Sequence, residues 1–279
     1  MTTATYPDDA IAPITAFSVV ADTALNHALY IARPMDGKVV LLHILKSDQE
    51  RGSAEEKLNA LAAKASDESG VEVEYMMQTG SIFDDIGNVA SSLEAKLILM
   101  GTHGMKGWQF LTGSNALRVI KDSSTPFIVV QDKGINEGGY DVIVLPIDLS
   151  KEEKQKLKSA VEIAKFFESK VYIVSPDHSD EFLKNQQTRN MQYAENFLRE
   201  EGVDFESQTL DDSNAFEEEV VKFANYVNAD LISIINHEDA VGALFGSSFE
   251  QHLITNKEKI PVMVINPKNI TTLGGVIGT

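Results

Sequence analysis

The residues best able to do chemistry lie between Leu97 and Ile120, LILMGTHGMKGWQFLTGSNALRVI, where an apolar run opens into a loop with glycines at 101, 104, 107 and 113. Glycine permits positive φ and lets backbone N–H groups converge, and the first turn of a following helix adds unpaired donors and the positive end of its dipole. Gly113, Ser114 and Asn115, directly before a predicted helix, therefore have the composition of a phosphate cradle. The same residues also suit a purely structural purpose, because any strand-to-helix connection uses glycine and an N-cap, and Ser114 can simply cap the helix over 116–121.

Other chemistry is poorly supplied. The chain has no cysteine, which removes disulfides, thiolate metal sites and cysteine nucleophiles. His103 and His237 hold corresponding loop positions, but neither has a His-x3-His partner or a carboxylate cluster, and no metal is assigned. His43 sits in an apolar strand, where a hydrogen-bonded core histidine is the ordinary reading. The acidic runs Asp211-Asp212 and Glu217-Glu218-Glu219 read as solvated surface. There is no G-x-S-x-G elbow, no Walker loop and no H-E-x-x-H helix, so no catalytic residue is assigned.

The elements that must carry the loop follow from periodicity. In the first half, strands are predicted at Ala10–Ile14, Lys38–Leu45, around Val71–Tyr75, Leu97–Met100 and Phe127–Val130. Helices are predicted near Ala21–Ala32, from Ser53 (with capping-box spacing to Glu56) to Gly70, over Ile82–Leu93 and over Ala116–Lys121. The second half repeats the series, with strands at Val142–Leu145, Lys170–Val174, Val203–Ser207, Leu231–Ile235 and Val262–Ile265. Its helices are predicted at Lys151–Phe167, Thr188–Glu200, Ala215–Val227 and Phe249–Thr255. Four pairs of landmarks, Phe17 with Leu149, Leu97 with Leu231, Gly113 with Gly246 and Thr125 with Ile260, are 132, 134, 133 and 135 residues apart. A nearly constant offset over the whole chain indicates a duplicated domain.

The expected architecture is thus two doubly wound, five-stranded parallel-sheet α/β domains of flavodoxin type in tandem, spanning residues 1–133 and 141–279, with the polar, glycine-rich segment 134–140 as linker. Ligands in such sheets sit at the carboxyl ends of the strands. With 24 basic against 42 acidic residues the net charge is −18, and neither half is basic. Nucleic acid and anionic membrane surfaces are therefore not expected partners. With no signal-like start, the chain reads as cytoplasmic and soluble.

The loop is similar to the G-x2-G-x9-G-[ST] signature of universal stress proteins, with Gly101, Gly104, Gly113 and Ser114 at the matching positions. Eight residues, not nine, separate Gly104 from Gly113, and Trp108 and Phe110 add bulk. The likeness extends to Pro13–Leu25, to Leu41-Leu42-His43-Ile44 and to Thr125-Pro126-Phe127. It implies an adenine nucleotide alpha hydrolase-like fold and a site for ATP or another adenine nucleotide formed by Pro13, Ile14, Thr15, Ile44, Gly101, His103, Gly104, Gly113, Ser114 and Asn115. The aspartate that meets the nucleoside in that family is replaced here by Ala16. The second half keeps a carboxylate at Asp148 but has Ile235-Asn236-His237-Glu238 in place of the loop glycines, leaving Gly246, Ser247 and Ser248 as a remnant. Glu238 and Asp239 would oppose a triphosphate by ~1 kcal/mol or more at short range.

The resemblance further implies a non-enzymatic stress-response protein whose two domains pair as a pseudo-dimer through their last strands. A homodimer is allowed, and the protein partners stay open. Two alternatives remain: a nucleotide-free interaction scaffold, and a weak nucleotide hydrolase using His103 or Asp148.

Overall fold

The computed structural model describes residues 10–14, 18–45, 47–80, 86, 89–102, 120, 123, 125–147, 149, 153–211, 215–235 and 247–265. The chain divides into two compact units at Gly134 and Ile135. In the first unit the strands are β1 (Ala10–Ile14), β2 (Lys38–Leu45), β3 (Val73–Thr79), β4 (Leu97–Gly101) and β5 (Phe127–Val130). They form a parallel sheet in the order β3-β2-β1-β4-β5, with Ile14 opposite both Leu42 and Met100. Leu97, Ile98, Leu99 and the whole of β5 are buried, as required of strands covered on both faces.

Helix α1 (Val19–Ala32) buries Val20, Ala24, Ala28 and Ile31 along one stripe, and α2 (Arg51–Ser69) buries Ala54, Leu58, Ala62 and Ala65. Ser53 lies inside α2, not at its start. A short 3-10 turn over Asp48–Glu50 leads into the helix instead. The Asp48 carboxylate accepts from the Thr79 hydroxyl at 2.7 Å and from Arg51 at 3.2 Å, tying this helix start to the end of β3. These bonds, the Thr79 hydroxyl first, hold the Asp48 carboxyl below its usual range.

The second unit repeats this plan with β6 (Val142–Pro146), β7 (Lys170–Pro176), β8 (Phe205–Leu210), β9 (Leu231–Ile235) and β10 (Val262–Ile265), in the order β8-β7-β6-β9-β10. Its helices are α3 (Glu153–Phe167), α4 (Glu181–Glu200), α5 (Phe216–Tyr226) and α6 (Ser247–Ile254). The five strand starts follow those of the first unit by 132, 132, 132, 134 and 135 residues. Left-handed residues recur at the same offsets: Asp36 with Glu168, Gly70 with Gly202, and Glu94 with Asn228. The pairs Lys38–Glu74 (2.8 Å) and Lys170–Glu206 (2.6 Å) bridge the same two strand positions in each copy. The chain is a tandem repeat of one doubly wound fold.

Two differences from the sequence expectations have clear causes. Strands β3 and β8 begin two residues late, because Val71 and Val203 follow the left-handed glycines that end α2 and α4. Each is buried against its helix end, with the Val71 N–H bonded to Ser69 Oγ and the Val203 N–H to the Leu198 carbonyl. Helix α4 starts seven residues before Thr188, where the Asp180 carboxylate accepts from the Leu183 N–H at 2.9 Å. Of the segment 134–140, expected to be a linker, residues 135–140 belong to the second unit. Asn136 donates to Asp230 at 2.5 Å, Ser169 donates to the Tyr140 carbonyl at 2.5 Å, and the buried Tyr140 ring meets Phe167 edge-on. Of the predicted helix over 82–93, residues 86 and 89–92 are helical and 82–85, 87 and 88 lie outside the described residues, as do all of 116–121 but residue 120 and the whole of Thr271–Thr279. No described helix is long and apolar enough to cross a membrane.

His27 on α1 is fully buried, and its Nε2 lies 3.1 Å from the Lys133 carbonyl, so Nε2 carries the proton and donates. Burial, reinforced by the Lys133 charge and opposed by that hydrogen bond, pushes the imidazole down to about 4. A folded pKa below the unfolded value of ~6.5 means that the unfolded chain binds the extra proton first, so stability is full above pH ~6.5 and lost as pH falls toward 4. The full effect is on the order of 3 kcal/mol. Chemical denaturation of the first unit followed between pH 7 and pH 4.5 should show this loss, and His27→Gln should flatten the profile. An equally steep profile in the variant would refute a buried neutral imidazole.

Candidate functional site

In the first unit β1 lies between β2 and β4, and the chain leaves the two central strands in opposite directions: from β1 toward β2 and β3, and from β4 toward β5. A doubly wound sheet opens a crevice at this reversal, outside the carboxyl ends of the two strands. Pro13 and Ile14 form the end of β1, and Gly101 forms the end of β4. Helix α1 starts beside them, with Ser18 extended at its N-cap (φ −134°) and making no side-chain capping bond. The site read from the sequence therefore has its two strand ends side by side. Ile44 sits half-buried next to the end of β2, one strand over.

Gly101 has a local reason to be glycine. A Cβ there would lie 2.3 Å from the Val20 carbonyl oxygen and 2.6 Å from its carbon, both main-chain atoms that cannot swing aside. The first turn of α1 thus packs directly on the end of β4, which brings the helix start to the switch point. Sequence reasoning passed over Thr102, the next residue. It is buried, its N–H donates to the Val130 carbonyl at 2.8 Å, and its hydroxyl has no hydrogen-bond partner among the described residues. Its signal in the sequence was a lone hydroxyl between a buried strand and a glycine-rich loop.

Thr15, His103, Gly104, Gly113, Ser114 and Asn115 lie outside the described residues, as do Asp148 and Gly246. Ser247 and Ser248 form the first two positions of α6. In the second unit the reversal falls between β6 and β9, and the turn after β6 is held by α4: Gln187 Nε2 donates to the Ile147 carbonyl and Gln186 Nε2 to the Leu149 carbonyl, each at 2.9 Å. The described residues contain no group of three or more His, Asp or Glu that could hold a metal ion.

Fold and switch points define a tandem of doubly wound parallel α/β domains. The family model described as the universal stress protein family matches residues 10–131, which fall in the first unit. Universal stress protein G of Escherichia coli O157:H7 is 29% identical over 143 residues, covering 43% of this chain and 96% of that one. A universal stress protein of Methanocaldococcus jannaschii is 30% identical over 131 residues, covering 41% of this chain and 76% of that one. Among solved structures, a universal stress protein from Archaeoglobus fulgidus has the same fold along 94% of this chain and all of its own, with a TM-score of 0.75 at 19% identity. A protein of Pseudomonas aeruginosa UCBPP-PA14 gives 0.66 at 18% identity, covering 94% of each chain. The chain belongs to the universal stress protein family.

The Gly101 contact can be tested by itself. Gly101→Ala should lower stability by about 1–3 kcal/mol in urea denaturation, the usual cost of overpacking. Gly52→Ala, in α2 with open space around its Cβ position, should be neutral or stabilising by up to about 1 kcal/mol. Equal effects at the two sites would remove the packing argument.

Proposed function

We propose that this is a cytoplasmic stress-response protein that acts by binding, not turnover, and that its first unit takes an adenine nucleotide, ATP foremost, at the carboxyl ends of β1 and β4. The observation that carries this reading is the reversal of strand order between those two strands, with the start of α1 drawn onto the end of β4 through Gly101. The glycine loop from Gly101 to Asn115 leaves the sheet at this point, and its backbone N–H groups are the natural donors to the phosphates. Pro13, Ile14 and Ile44 complete the proposed site. The absence of an aspartate at Ala16 leaves the ribose with fewer partners, so phosphate contacts carry more of the affinity.

The second unit is the weaker nucleotide candidate, since Glu238 and Asp239 replace neutral residues beside the expected phosphate position. The two halves of the molecule thus divide into a binding copy and a copy released from that task.

Isothermal titration of the purified protein with ATP and Mg²⁺, beside AMP and GTP, tests the reading. Micromolar ATP binding is expected, abolished by Gly113→Asp, which adds bulk and negative charge at the cradle, and retained within about threefold in Gly246→Asp. Absence of binding, with no nucleotide carried through purification, would leave an interaction scaffold. Product formation above the Gly113→Asp control would make it a hydrolase.

A further inference from the structure

Strand β8 is the outer strand of the second unit and pairs with β7 on one side only. The Asp204 carbonyl accepts from the Val171 N–H at 2.9 Å, and the Leu210 carbonyl from the Asp177 N–H at 3.1 Å, so the even-numbered residues turn their main-chain groups toward β7. Alternation along the strand then turns the N–H and C=O of Phe205, Ser207 and Thr209 outward. Proteins usually blunt such an edge with proline, a bulge, a charge or a covering element. β8 has no proline, and its six residues pair in unbroken register with those from Val171 to Pro176, so no bulge twists it away. Its one charged residue, Glu206, is held by Lys170 at 2.6 Å, which leaves Ser207, Gln208 and Thr209 exposed and uncharged. The corresponding edge of the first unit is different: Tyr75, Met76 and Met77 of β3 are half-buried.

A cleft of about 320 Å³ lies beside this edge, lined by Ser207, Gln208 and Thr209 of β8 and by Lys184, Met191 and Glu195 of α4. An unpaired strand edge next to a cleft suits an extended peptide that adds as a further strand. Main-chain hydrogen bonds hold such a peptide, and its alternate side chains enter the cleft.

Charge selects the peptide. The strand, its flanks and the cleft carry Asp177, Glu195, Asp204, Glu206 and Asp211 against Lys170, Lys184 and Arg199. All three cations already have partners: Lys170 meets Glu206, Lys184 meets Asp177 at 3.3 Å, and Arg199 lies by the Phe205 ring and donates to Asn196. The excess is negative and favours lysine or arginine on the incoming strand. It also disfavours a second copy of this chain, since pairing two β8 edges would set these carboxylates against their own kind. We propose that the edge of β8 docks an extended, basic segment of a partner protein. The segment pairs with the outward main-chain groups of Phe205, Ser207 and Thr209 and sets alternate lysines over the cleft, within reach of Glu195. Nucleotide binding in the first unit is not required for it.

The test is a titration of the isotope-labelled full chain with an acetylated, amidated peptide of alternating lysine and threonine, followed by amide chemical shifts. Saturable shifts are expected at residues 205–210 and 184–195, with affinity falling about tenfold as salt rises from ~50 to ~300 mM. The same peptide with glutamate for lysine should cause none. Ser207→Pro removes one outward N–H at an edge, where proline is tolerated, and should abolish binding with the melting temperature as the check on folding. Glu195→Lys, which leaves the strand untouched, should weaken binding about tenfold and decides the matter if β8 does not accept proline. The proposal is overturned if the lysine peptide shifts none of these amides, if the glutamate peptide binds as tightly, or if binding survives both substitutions. Concentration-dependent shifts at 205–210 without peptide would overturn it in favour of a second copy.

Discussion

A parallel strand cannot pair with its successor without crossing the sheet, and the crossover is almost always right-handed. The place of the candidate site in this chain depends on that constraint. Because β1 is followed on one side by β2 and β3, the next strand, β4, takes the other side of β1. A doubly wound sheet opens at this reversal, outside the carboxyl ends of β1 and β4. The same sequence of steps leaves β6 and β9 side by side in the second unit. The contact between Gly101 and the Val20 main chain is how α1 is seated at this opening.

Duplication kept the skeleton and released the surfaces. Ion pairs joining the starts of the second and third strands recur as Lys38–Glu74 and Lys170–Glu206, and the left-handed helix ends recur at matched offsets. These features sit at the strand register and at the turns, which both copies share. Positions that only line a crevice or a groove have no such restraint. Gly101 and Gly104 have no equivalents at 235–239, and the apolar Tyr75-Met76-Met77 has become Ser207-Gln208-Thr209.

The strand and helix order was legible because buried parallel strands read as short apolar runs and covering helices as stripes. The parts that were misread are those where a single local interaction sets a boundary. Val71 and Val203 look like strand residues but close helices after a left-handed glycine. Five of the first seven residues of α4 are polar and the stretch carries no apolar period, and it is helical because Asp180 caps the Leu183 N–H. Polar residues 134–140 have a linker's composition, but Asp230, 88 residues beyond Val142, accepts from both Asn136 and the Val142 N–H and draws the segment onto the second unit.

The sequence by itself determined the repeat, the alternation of strands and helices, and the placing of a glycine loop after the fourth strand, because these depend on local patterns and on spacing along the chain. Tertiary structure alone decided why Gly101 must be glycine and why Thr102 and His27 are buried. Those facts depend on which backbone approaches which, and residues far apart in the chain acquire a shared environment only when the strand order is set.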